Sequence, residues 1–273
     1  MPDRESCAAQ SRNDTIWDKY YQSYQRGSHL PGVRYPNEHL VRFMAQWKHS
    51  PSWPKRRRPR ILEFEFGTIS NMAMMARFGC EVEGLEVSSN TAVRAKEAIE
   101  KLGMQEMLKV FTYDGGKRVP RPDRRYDAII GLQCVYYNLN QKAFAAECAR
   151  MLKPGGLLFF SFFSPRHGYM QYIDGVPGGP VSFREDHPNP RLVGLKLYLY
   201  RNEKQFSENF GKFFDLSIGI DEFNLLPVFQ SWYYLRGQKN DVTDNMRLIF
   251  PLSQPARFTA PGGGRNPWKR MRC

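Results

Sequence analysis

The sequence predicts an open, doubly wound α/β sheet, and three observations support this prediction. Short apolar segments alternate with longer helical segments between residues 60 and 163. Glycine stands directly after two of the helical segments, at Gly79 and Gly103. The segment "GLLFFSFF" is apolar on both faces, as a central strand is. Strands that alternate with helices in this way are typical of a parallel sheet with helices on both faces.

The first strand is "RILEFEF", which leads through a short turn into the helix "SNMAMMARFG". The second strand is "EVEGLEV". In the next helix, "SSNTAVRAKEAIEKLG", Ser89 or Asn90 is the expected N-cap and Gly103 the stop. Val93 and Ile99 are its expected core residues. The third and fourth strands are "MLKVFTY" and "YDAIIGLQ", followed by the helix "NQKAFAAECARML" and the fifth strand "GLLFFSFF".

From about Ser164 onward the pattern loosens into loops rich in glycine and proline. It still predicts strands at "LKLYLY", "FDLSIGIDEF" and "QSWYYLRG", and a helix at "NEKQFSENFGKF". We expect these strands to extend the same sheet in the antiparallel direction. We expect the tail beyond Lys239 to be poorly ordered or wrapped on the surface.

The region before the sheet divides into a helix and a linker. The segment "YPNEHLVRFMAQW" has the spacing of an amphipathic helix, with apolar residues at Leu40, Val41, Phe43, Met44 and Trp47. The segment "KHSPSWPKRRRPR" then combines three prolines with a dense basic cluster. Prolines and like charges at this density are typical of a linker.

The net charge of +13 raises the question of a nucleic-acid partner. The segment from Lys55 to Arg60 contributes +5, and the tail from Gln238 to Cys273 contributes another +5. The rest of the chain, with 28 basic and 25 acidic residues, carries only +3. Basic segments bind phosphate backbones in some proteins, but a solvated linker and a flexible end are the favoured interpretation. Nucleic acid is therefore the less favoured partner.

Several protein classes are excluded by the sequence pattern. No apolar run approaches the roughly 18 residues of a membrane span, and the polar start "MPDRESCAAQSRNDT" lacks the apolar core of a signal peptide. The five cysteines are scattered, without a CxxC pair or the spacing of metal ligands. We therefore expect a cytoplasmic protein with reduced thiols, no metal and no membrane partner, and with Cys134 and Cys148 in the core. The sequence leaves the oligomeric state open.

The loops at the carboxyl ends of the predicted strands contain the candidate site, because ligands of open α/β sheets bind beyond those ends. The first loop, "EFEFGTIS", carries Glu63 and Gly67, and Glu86 ends the second strand 23 residues after Glu63. An acidic residue about 20 residues beyond a glycine turn accepts hydrogen bonds from ribose hydroxyls. The third loop, "TYDGG", presents Tyr113 and Asp114, where an acceptor would meet an adenine amine. The fourth is "GLQCVYYN".

The stretches "ILEFEFGTISNMAMMARFGCEVEGLEVSSNTAVRAKE", "YDAIIGLQCVYYN" and "ARMLKPGGLLFFSF" resemble, in order, the motifs of class I S-adenosylmethionine-dependent methyltransferases. Upstream, "WDKYYQSYQRG" and "YPNEHLVRF" resemble the helical lid of small-molecule and saccharide methyltransferases. The resemblance implies a Rossmann-like seven-stranded sheet of the class I methyltransferase type with an N-terminal helical lid. It implies a lid and basic linker over residues 1–59, a methyltransferase domain over 60–237 and a basic tail over 238–273.

The resemblance also implies roles for individual residues. Glu86 matches the acid on the ribose hydroxyls, Val87 lies beside the adenine, and Asp114 accepts from the adenine amine. Leu132 lies where the fourth loop passes the methionine moiety, and Arg34 is the partner of the methionine carboxylate. The residues implied to bind the cofactor, S-adenosyl-L-methionine, are Trp17, Tyr21, Arg34, Glu63, Gly67, Glu86, Val87, Asp114 and Leu132.

The first motif departs from the family pattern, which has an acidic residue followed by glycine at three alternate positions. Here Glu65 and Ile69 replace the outer two glycines and leave Gly67. A pyrophosphate needs close approach to a glycine backbone and would be repelled by Glu65, which argues against an NAD-type ligand. S-adenosylmethionine carries a sulfonium and an ammonium instead, so a carboxylate near them is tolerable. The alternative is a decayed pocket in a domain kept as a scaffold.

Methyl transfer from a sulfonium is an in-line displacement, so the enzyme supplies alignment and, for a hydroxyl acceptor, a base. Tyr137 stands where many relatives have a histidine after the fourth strand. His167, just past the fifth strand, is the first candidate for the base, and His187 is the second. We expect methyl transfer to an oxygen or nitrogen of a small-molecule or saccharide-type acceptor. The alternatives are an inactive methyltransferase-like partner or scaffold subunit, and an RNA or DNA methyltransferase that uses the basic linker and tail.

Overall fold

A computed structural model describes residues 35–113, 118–224 and 228–240. Its helices are α1 (Glu38–Lys48), α2 (Ser70–Arg77), α3 (Ser89–Lys101), α4 (Gln141–Met151) and α5 (Glu203–Phe210). Its strands are β1 (Arg60–Phe64), β2 (Glu81–Glu86), β3 (Leu108–Thr112), β4 (Tyr126–Gly131), β5 (Leu152–Phe163), β6 (Ile173–Asp174), β7 (Gly179–Phe183), β8 (Lys196–Leu199), β9 (Phe214–Phe223) and β10 (Gln230–Lys239). The predicted alternation of strands and helices is therefore confirmed.

The main sheet has seven strands in the order β3-β2-β1-β4-β5-β10-β9. Strands β1 to β5 are parallel, and β10 pairs antiparallel with both β5 and β9. The chain runs outward from β1 to β3 and then returns to β4 on the other side of β1. Ligands of open α/β sheets bind at such a reversal, beyond the carboxyl ends of the strands. The doubly wound, seven-stranded prediction is confirmed.

One predicted strand lies elsewhere. The segment "LKLYLY" forms β8, which pairs with β7 in a separate three-stranded antiparallel sheet with β6. The expectation that it extends the main sheet is therefore wrong, because a strand's own residues do not specify its partner. The Tyr200 hydroxyl, just after β8, donates a hydrogen bond to Gln141 Oε1 at 3.1 Å. This bond ties the small sheet to the start of α4.

The core lies on both faces of the main sheet. Leu62 and Phe64 of β1 belong to one apolar cluster, whereas Ile61 belongs to the other. The predicted amphipathic helix is α1, and it covers the second cluster: its Phe43 ring stacks on Phe159 of β5, with centroids 4.6 Å apart. Alternate burial of this kind is what a strand packed by helices on both faces requires.

Helix α3 begins one residue earlier than expected. Ser88 is its N-cap, and the Ser88 side chain accepts a hydrogen bond from Thr91 N at 3.2 Å. Ile99 is buried as expected, and Gly103 follows the helix with a φ of +65°. Val93, however, is 55% exposed, so its assignment to the core is wrong. The buried face is built from residues three and four apart, namely Ala92, Ala95 and Ile99, and Val93 lies beside that stripe.

The basic linker is tied to the amino end of the sheet. Arg57 Nη1 donates to Asp127 Oδ2 at 2.6 Å, and the Arg60 N–H donates to the same oxygen at 2.8 Å. Lys153 Nζ lies 3.1 Å from both carboxylate oxygens. Burial raises the pKa of Asp127, but these donors outweigh it and hold the pKa below its ordinary value. Part of the linker's charge is therefore used inside the molecule.

Candidate functional site

The turn after β1 brings the first two candidate loops together. Gly67 has a φ of +51°, and Glu65 has a φ of +50°, in the left-handed region that favours glycine. The Glu65 N–H donates to the Leu85 carbonyl of β2 at 2.7 Å. The turn therefore stays attached to β2, and its backbone faces the end of that strand, where Glu86 lies.

Glu86 is held by backbone N–H groups from both loops. Its Oε1 accepts from Val87 N at 3.1 Å and from Ser88 N at 3.3 Å, and its Oε2 accepts from Gly67 N at 3.3 Å. Glu86 is 1% exposed. Burial raises its pKa, although the hydrogen bonds oppose this rise. The structure thus brings together Gly67, Glu86 and Val87, three residues predicted to bind one cofactor.

Glu63 is buried with an unused acceptor. Its Oε1 accepts from Asn71 Nδ2 at 2.9 Å. Its Oε2 is buried without a hydrogen-bond partner among the described residues. Burial raises the pKa of Glu63 to about 8, against the opposing effect of the Asn71 hydrogen bond. Glu63 is therefore mostly protonated at neutral pH when no ligand is bound, and a cationic donor placed beside Oε2 would favour its ionised form.

Asn71 is a site residue that the sequence reasoning missed. Besides its bond to Glu63, its Oδ1 accepts from the Asn37 N–H at 2.9 Å. Asn37 is the N-cap of α1, where its side chain accepts from Leu40 N. Asn71 therefore connects the start of α1 with Glu63, the acid near the end of β1. The available signal was an amide side chain in the first turn of an otherwise apolar helix.

Glu65 faces Glu86. Glu65 acts on Glu86 as a hydrogen-bond donor and lowers its pKa, against the larger effect of burial, and the Tyr113 hydroxyl donates to Glu65 Oε1 at 3.1 Å. Burial raises the pKa of Tyr113 well above its ordinary value, and Glu65 adds to this effect. Three carboxyl groups thus converge at one turn, including that of Glu63. Such a group of acceptors suits hydroxyl and ammonium donors and repels phosphate.

The fourth loop lies beside the first. Leu132 follows β4 directly and is half-buried. Cys134 Sγ lies 3.4 Å from the Phe64 carbonyl of β1, which closes the gap between the two loops. Tyr137 is buried in the short 3-10 turn Val135–Tyr137, with its ring centroid 4.6 Å from that of Tyr136. Leu132 therefore lies at the same edge of the sheet as Glu63 and Gly67.

His167 lies past β5, buried against Phe163 and Trp232. Its Nδ1 accepts from the Tyr169 N–H at 3.1 Å, and its Nε2 lies 3.2 Å from Gln230 Oε1. The neutral ring, with its proton on Nε2, satisfies both contacts. Burial lowers the pKa of His167 to about 4. Both ring nitrogens are thus engaged within the protein, and a role as base stays a prediction.

The second candidate base, His187, is buried among the rings of Tyr169, Tyr172 and Phe183. Its Nδ1 accepts from the Asn189 N–H at 3.0 Å, and its Nε2 has no hydrogen-bond partner among the described residues. Burial lowers its pKa. Phe183 belongs to β7, so His187 packs against the small sheet that follows β5.

Four predicted cofactor residues, Trp17, Tyr21, Arg34 and Asp114, lie outside the described residues. Their roles stay predictions, and so do the N-terminal part of the lid and most of the basic tail. Within the described ranges, no group of three or more histidine, cysteine, aspartate or glutamate side chains has the arrangement of a metal site. No described helix is long and apolar enough to cross a membrane.

Comparison with known proteins identifies the domain that carries this site. Residues 62–160 match the family model of a methyltransferase domain. A demethylmenaquinone methyltransferase of Tropheryma whipplei is 30% identical over 104 residues, which are 38% of this chain and 41% of that protein. Across the curated relatives it matches, the chain spans 35% to 41% of their length. The family model thus matches the part of the chain that forms β1 to β5.

Two solved structures share the fold. One, from work on the conversion of a disulfide bond into a thioacetal group during echinomycin biosynthesis, has a TM-score of 0.59 and 16% identity, covering 84% of this chain and 93% of the other. The other, phosphoethanolamine N-methyltransferase 2 of Haemonchus contortus in complex with S-adenosyl-L-methionine, has a TM-score of 0.54 and 14% identity, covering 74% and 52%. With the seven-stranded sheet, they show that this chain has the Rossmann-like fold of the class I methyltransferases, and residues 62–160 carry the sequence pattern of a methyltransferase domain.

Proposed function

We propose that this chain binds S-adenosyl-L-methionine at the carboxyl ends of β1 and β2 and transfers its methyl group to an oxygen or nitrogen of a small-molecule or saccharide-type acceptor. The observation that carries the proposal is the setting of Glu86. Backbone N–H groups of Gly67, Val87 and Ser88 orient its carboxylate at the edge where the strand order reverses. A fixed acceptor at this point of an α/β sheet suits the hydroxyls of a ribose.

The charge of the site supports this cofactor over a dinucleotide. Glu63, Glu65 and Glu86 lie around one turn, and each of them raises the pKa of the Cys134 thiol when its carboxyl group is ionised. A pyrophosphate would meet like charge there. S-adenosylmethionine has no phosphate and brings two hydroxyl groups, an ammonium and a sulfonium. The ammonium suits Glu63, whose Oε2 lacks a hydrogen-bond partner among the described residues.

The acceptor would enter from the side of β4 and β5. The loop after β4, which carries Tyr137, and the segment that joins β5 to β6, which carries His167 and Tyr169, flank this side. Alignment of the acceptor with the sulfonium is the main catalytic contribution the protein has to make. A hydroxyl acceptor also needs a base, and Tyr137 and His167 are proposed for that role.

An inactive methyltransferase-like subunit is the second candidate function. The observation that favours it is the hydrogen bond between Glu65 and Glu86, because it engages the group proposed to bind the ribose. In that case Glu65 would occupy the ribose-binding group permanently, and the turn would have only a structural role. Binding of the cofactor decides between the two functions.

A nucleic-acid methyltransferase is less favoured for a geometric reason. The basic linker enters the sheet at Arg60, at the amino end of β1, whereas the three carboxyl groups lie at the carboxyl end. A five-residue strand separates the two edges by roughly 16 Å. In addition, Arg57 is paired with Asp127. The exposed charges of the linker thus lie away from the site that would act on a nucleic acid.

Calorimetric titration with S-adenosylmethionine and its demethylated product, S-adenosylhomocysteine, tests the cofactor assignment. We expect binding of both, with at least a tenfold loss in Glu86→Ala, since hydrogen bonds to a charged group each contribute about 1.5–3 kcal/mol. Glu81→Gln is the matched control, because Glu81 begins the same strand and pairs with Arg60 instead. Absence of binding at millimolar concentration would exclude the proposed methyltransferase activity.

The nucleic-acid alternative has its own test. Binding of duplex DNA and RNA is measured against salt concentration for the wild type and for two variants with equal loss of charge. In one variant, glutamine replaces Lys55, Arg56 and Arg58 of the linker. In the control variant, glutamine replaces the exposed residues Lys96, Lys101 and Lys109. Steep salt dependence that only the first variant weakens would support the alternative and count against our proposal.

A further inference from the structure

We propose that Glu65 is a specificity-determining residue of this site: together with Glu86 it receives the two neighbouring hydroxyl groups of a ribose, which displace the proton that the two carboxyl groups share. This inference rests on the proposed function, because it concerns the cofactor of the same site. It gives a role to position 65, one of the two positions at which this chain departs from the family's first motif.

The first observation is the pair itself. Tyr113 links the two residues, because its N–H donates to the Glu86 carbonyl at 3.2 Å and its hydroxyl donates to Glu65 Oε1 at 3.1 Å. A carboxyl group donates a hydrogen bond to a neighbouring carboxylate only when it carries a proton, and Glu65 acts on Glu86 as such a donor, which lowers the pKa of Glu86. Each group is also held from outside the pair. The Tyr113 hydroxyl donates to Glu65, and the backbone N–H groups of Val87 and Gly67 donate to Glu86. The two acceptors therefore have fixed positions.

A second, independent observation indicates that a ligand binds beside the pair. Glu63 is 2% exposed, and its Oε2 has no hydrogen-bond partner among the described residues. Buried polar atoms are nearly always hydrogen-bonded in proteins, so this carboxyl group calls for a hydrogen-bond partner from a ligand. Each of Glu63, Glu65 and Glu86 raises the pKa of the same thiol, that of Cys134, when its carboxyl group is ionised. The unused oxygen and the acid pair therefore belong to a single site.

The titratable neighbours leave the pair free to exchange its proton. Tyr113 faces it from the end of β3, Cys134 from the loop after β4, and Glu63 from β1. Burial raises the pKa values of Tyr113 and Cys134 well above their ordinary values, so both stay neutral. Burial raises the pKa of Glu63 to about 8, so Glu63 also holds a proton that a ligand could release. The experiment must distinguish that proton from the one shared by Glu65 and Glu86.

Ribose binding exchanges the shared proton for two new hydrogen bonds and involves no covalent step. The pair begins as one carboxylic acid and one carboxylate. When a ribose binds, each carboxylate accepts one O–H group, and the proton leaves to solvent. Glycine at position 65 would offer no second acceptor, so a site with Glu86 alone would bind the same ribose without this release. Glu65 thus favours ligands that carry both hydroxyl groups, because a ligand lacking one leaves a buried carboxyl group unpaired.

Calorimetry with S-adenosylhomocysteine as the probe tests the inference. The number of protons released at pH 6 follows from titrations in two buffers with different ionisation enthalpies. We expect the wild type to release about one proton more than Glu65→Gln, since the pair shares a single proton. Glu63→Gln is the control: in its background, Glu65→Gln again removes about one proton. Glutamine fits the backbone at position 65 as well as glutamate does, so folding is preserved.

A second measurement reads specificity. The affinity for S-adenosylhomocysteine is divided by that for its 2′-deoxyribose analogue. We expect this ratio to fall by about tenfold in Glu65→Gly, which has no second acceptor, and by less in Glu65→Gln, whose amide oxygen is a neutral acceptor. Equal proton release in wild type and Glu65→Gln would overturn the inference while leaving the proposed function intact. So would tighter binding of both ligands by Glu65→Gly at an unchanged ratio, because Glu65 would then obstruct the site. Absence of binding by every form would overturn both proposals.

Discussion

Replacement of Glu63 by glutamine should change how the stability of the protein depends on pH. Burial raises the pKa of Glu63 from an ordinary value of 4.5 to about 8. Between these two values Glu63 is protonated in the folded protein and ionised in the unfolded chain. The folded state then binds more protons, so the free energy of unfolding falls as pH rises through this window. Glu63→Gln has no proton to lose, and it escapes this fall.

The size of the effect follows from the width of the window. Each pH unit inside it contributes up to about 1.4 kcal/mol. From pH 6 to pH 8 the stability of the wild type should therefore fall by roughly 2 kcal/mol more than that of Glu63→Gln, allowing for partial ionisation near pH 8. For a chain of this size, this corresponds to a change of about 4–8 °C in the difference between their Tm values.

Thermal unfolding followed by circular dichroism at several pH values from 5 to 9 measures this difference. Glu81→Gln is the matched control, because it also removes one carboxyl group. Glu81 is half-exposed and begins β2, so it lies at the edge of the sheet away from the site. We expect Glu63→Gln to gain in Tm relative to the wild type as pH rises. A difference that stays constant over the whole range would refute the reasoning, because Glu63 would then ionise alike in folded and unfolded chains.

Three further predictions concern packing and the anchor of the linker. Gly131→Ala should lower stability by about 1–3 kcal/mol in urea unfolding, because an added Cβ would lie 2.3 Å from Val135 Cγ1; an unchanged midpoint would contradict this close approach. Asp127→Asn should cost about 1–3 kcal/mol at pH 7, and less as pH falls through the lowered pKa of the carboxyl group; a loss independent of pH would contradict the ion-pair account. Ile99→Ala should cost about 2–4 kcal/mol, whereas Val93→Ala should stay within about 0.5 kcal/mol, and equal effects would contradict the observed burial.

The sequence predicted the parallel half of the fold well because its signals there are local. Gly79 and Gly103 end their helices in the left-handed conformation, with φ values of +96° and +65°. The helix boundary at Ser88 was missed by one residue, since several polar residues in a row all suit an N-cap. The partner of β8 was missed for a different reason: strand pairing depends on distant parts of the chain, and β8 has the composition of a main-sheet strand.

The candidate site was predictable in outline but not in its contacts. The spacing of Glu63, Gly67 and Glu86 indicated which loops meet. The bond from Asn71 to Glu63 and the pair formed by Glu65 and Glu86 depend on where the side chains point after folding. Spacing along the chain carries no information on those directions. The N-terminal part of the lid and the adenine acceptor stay predictions, because they lie outside the described residues.

The two departures from the glycine motif have different physical meanings. Residues 65 and 67 both have left-handed backbone, with φ values of +50° and +51°, whereas Ile69 has a φ of −76° at the N-cap position of α2. Glycine offers no conformational advantage at position 69, and the Ile69 side chain packs on the core. Glutamate at position 65 costs roughly 1–2 kcal/mol relative to glycine. The contacts of Glu65 with Tyr113 and Glu86 have to offset that cost, so the functional question centres on position 65.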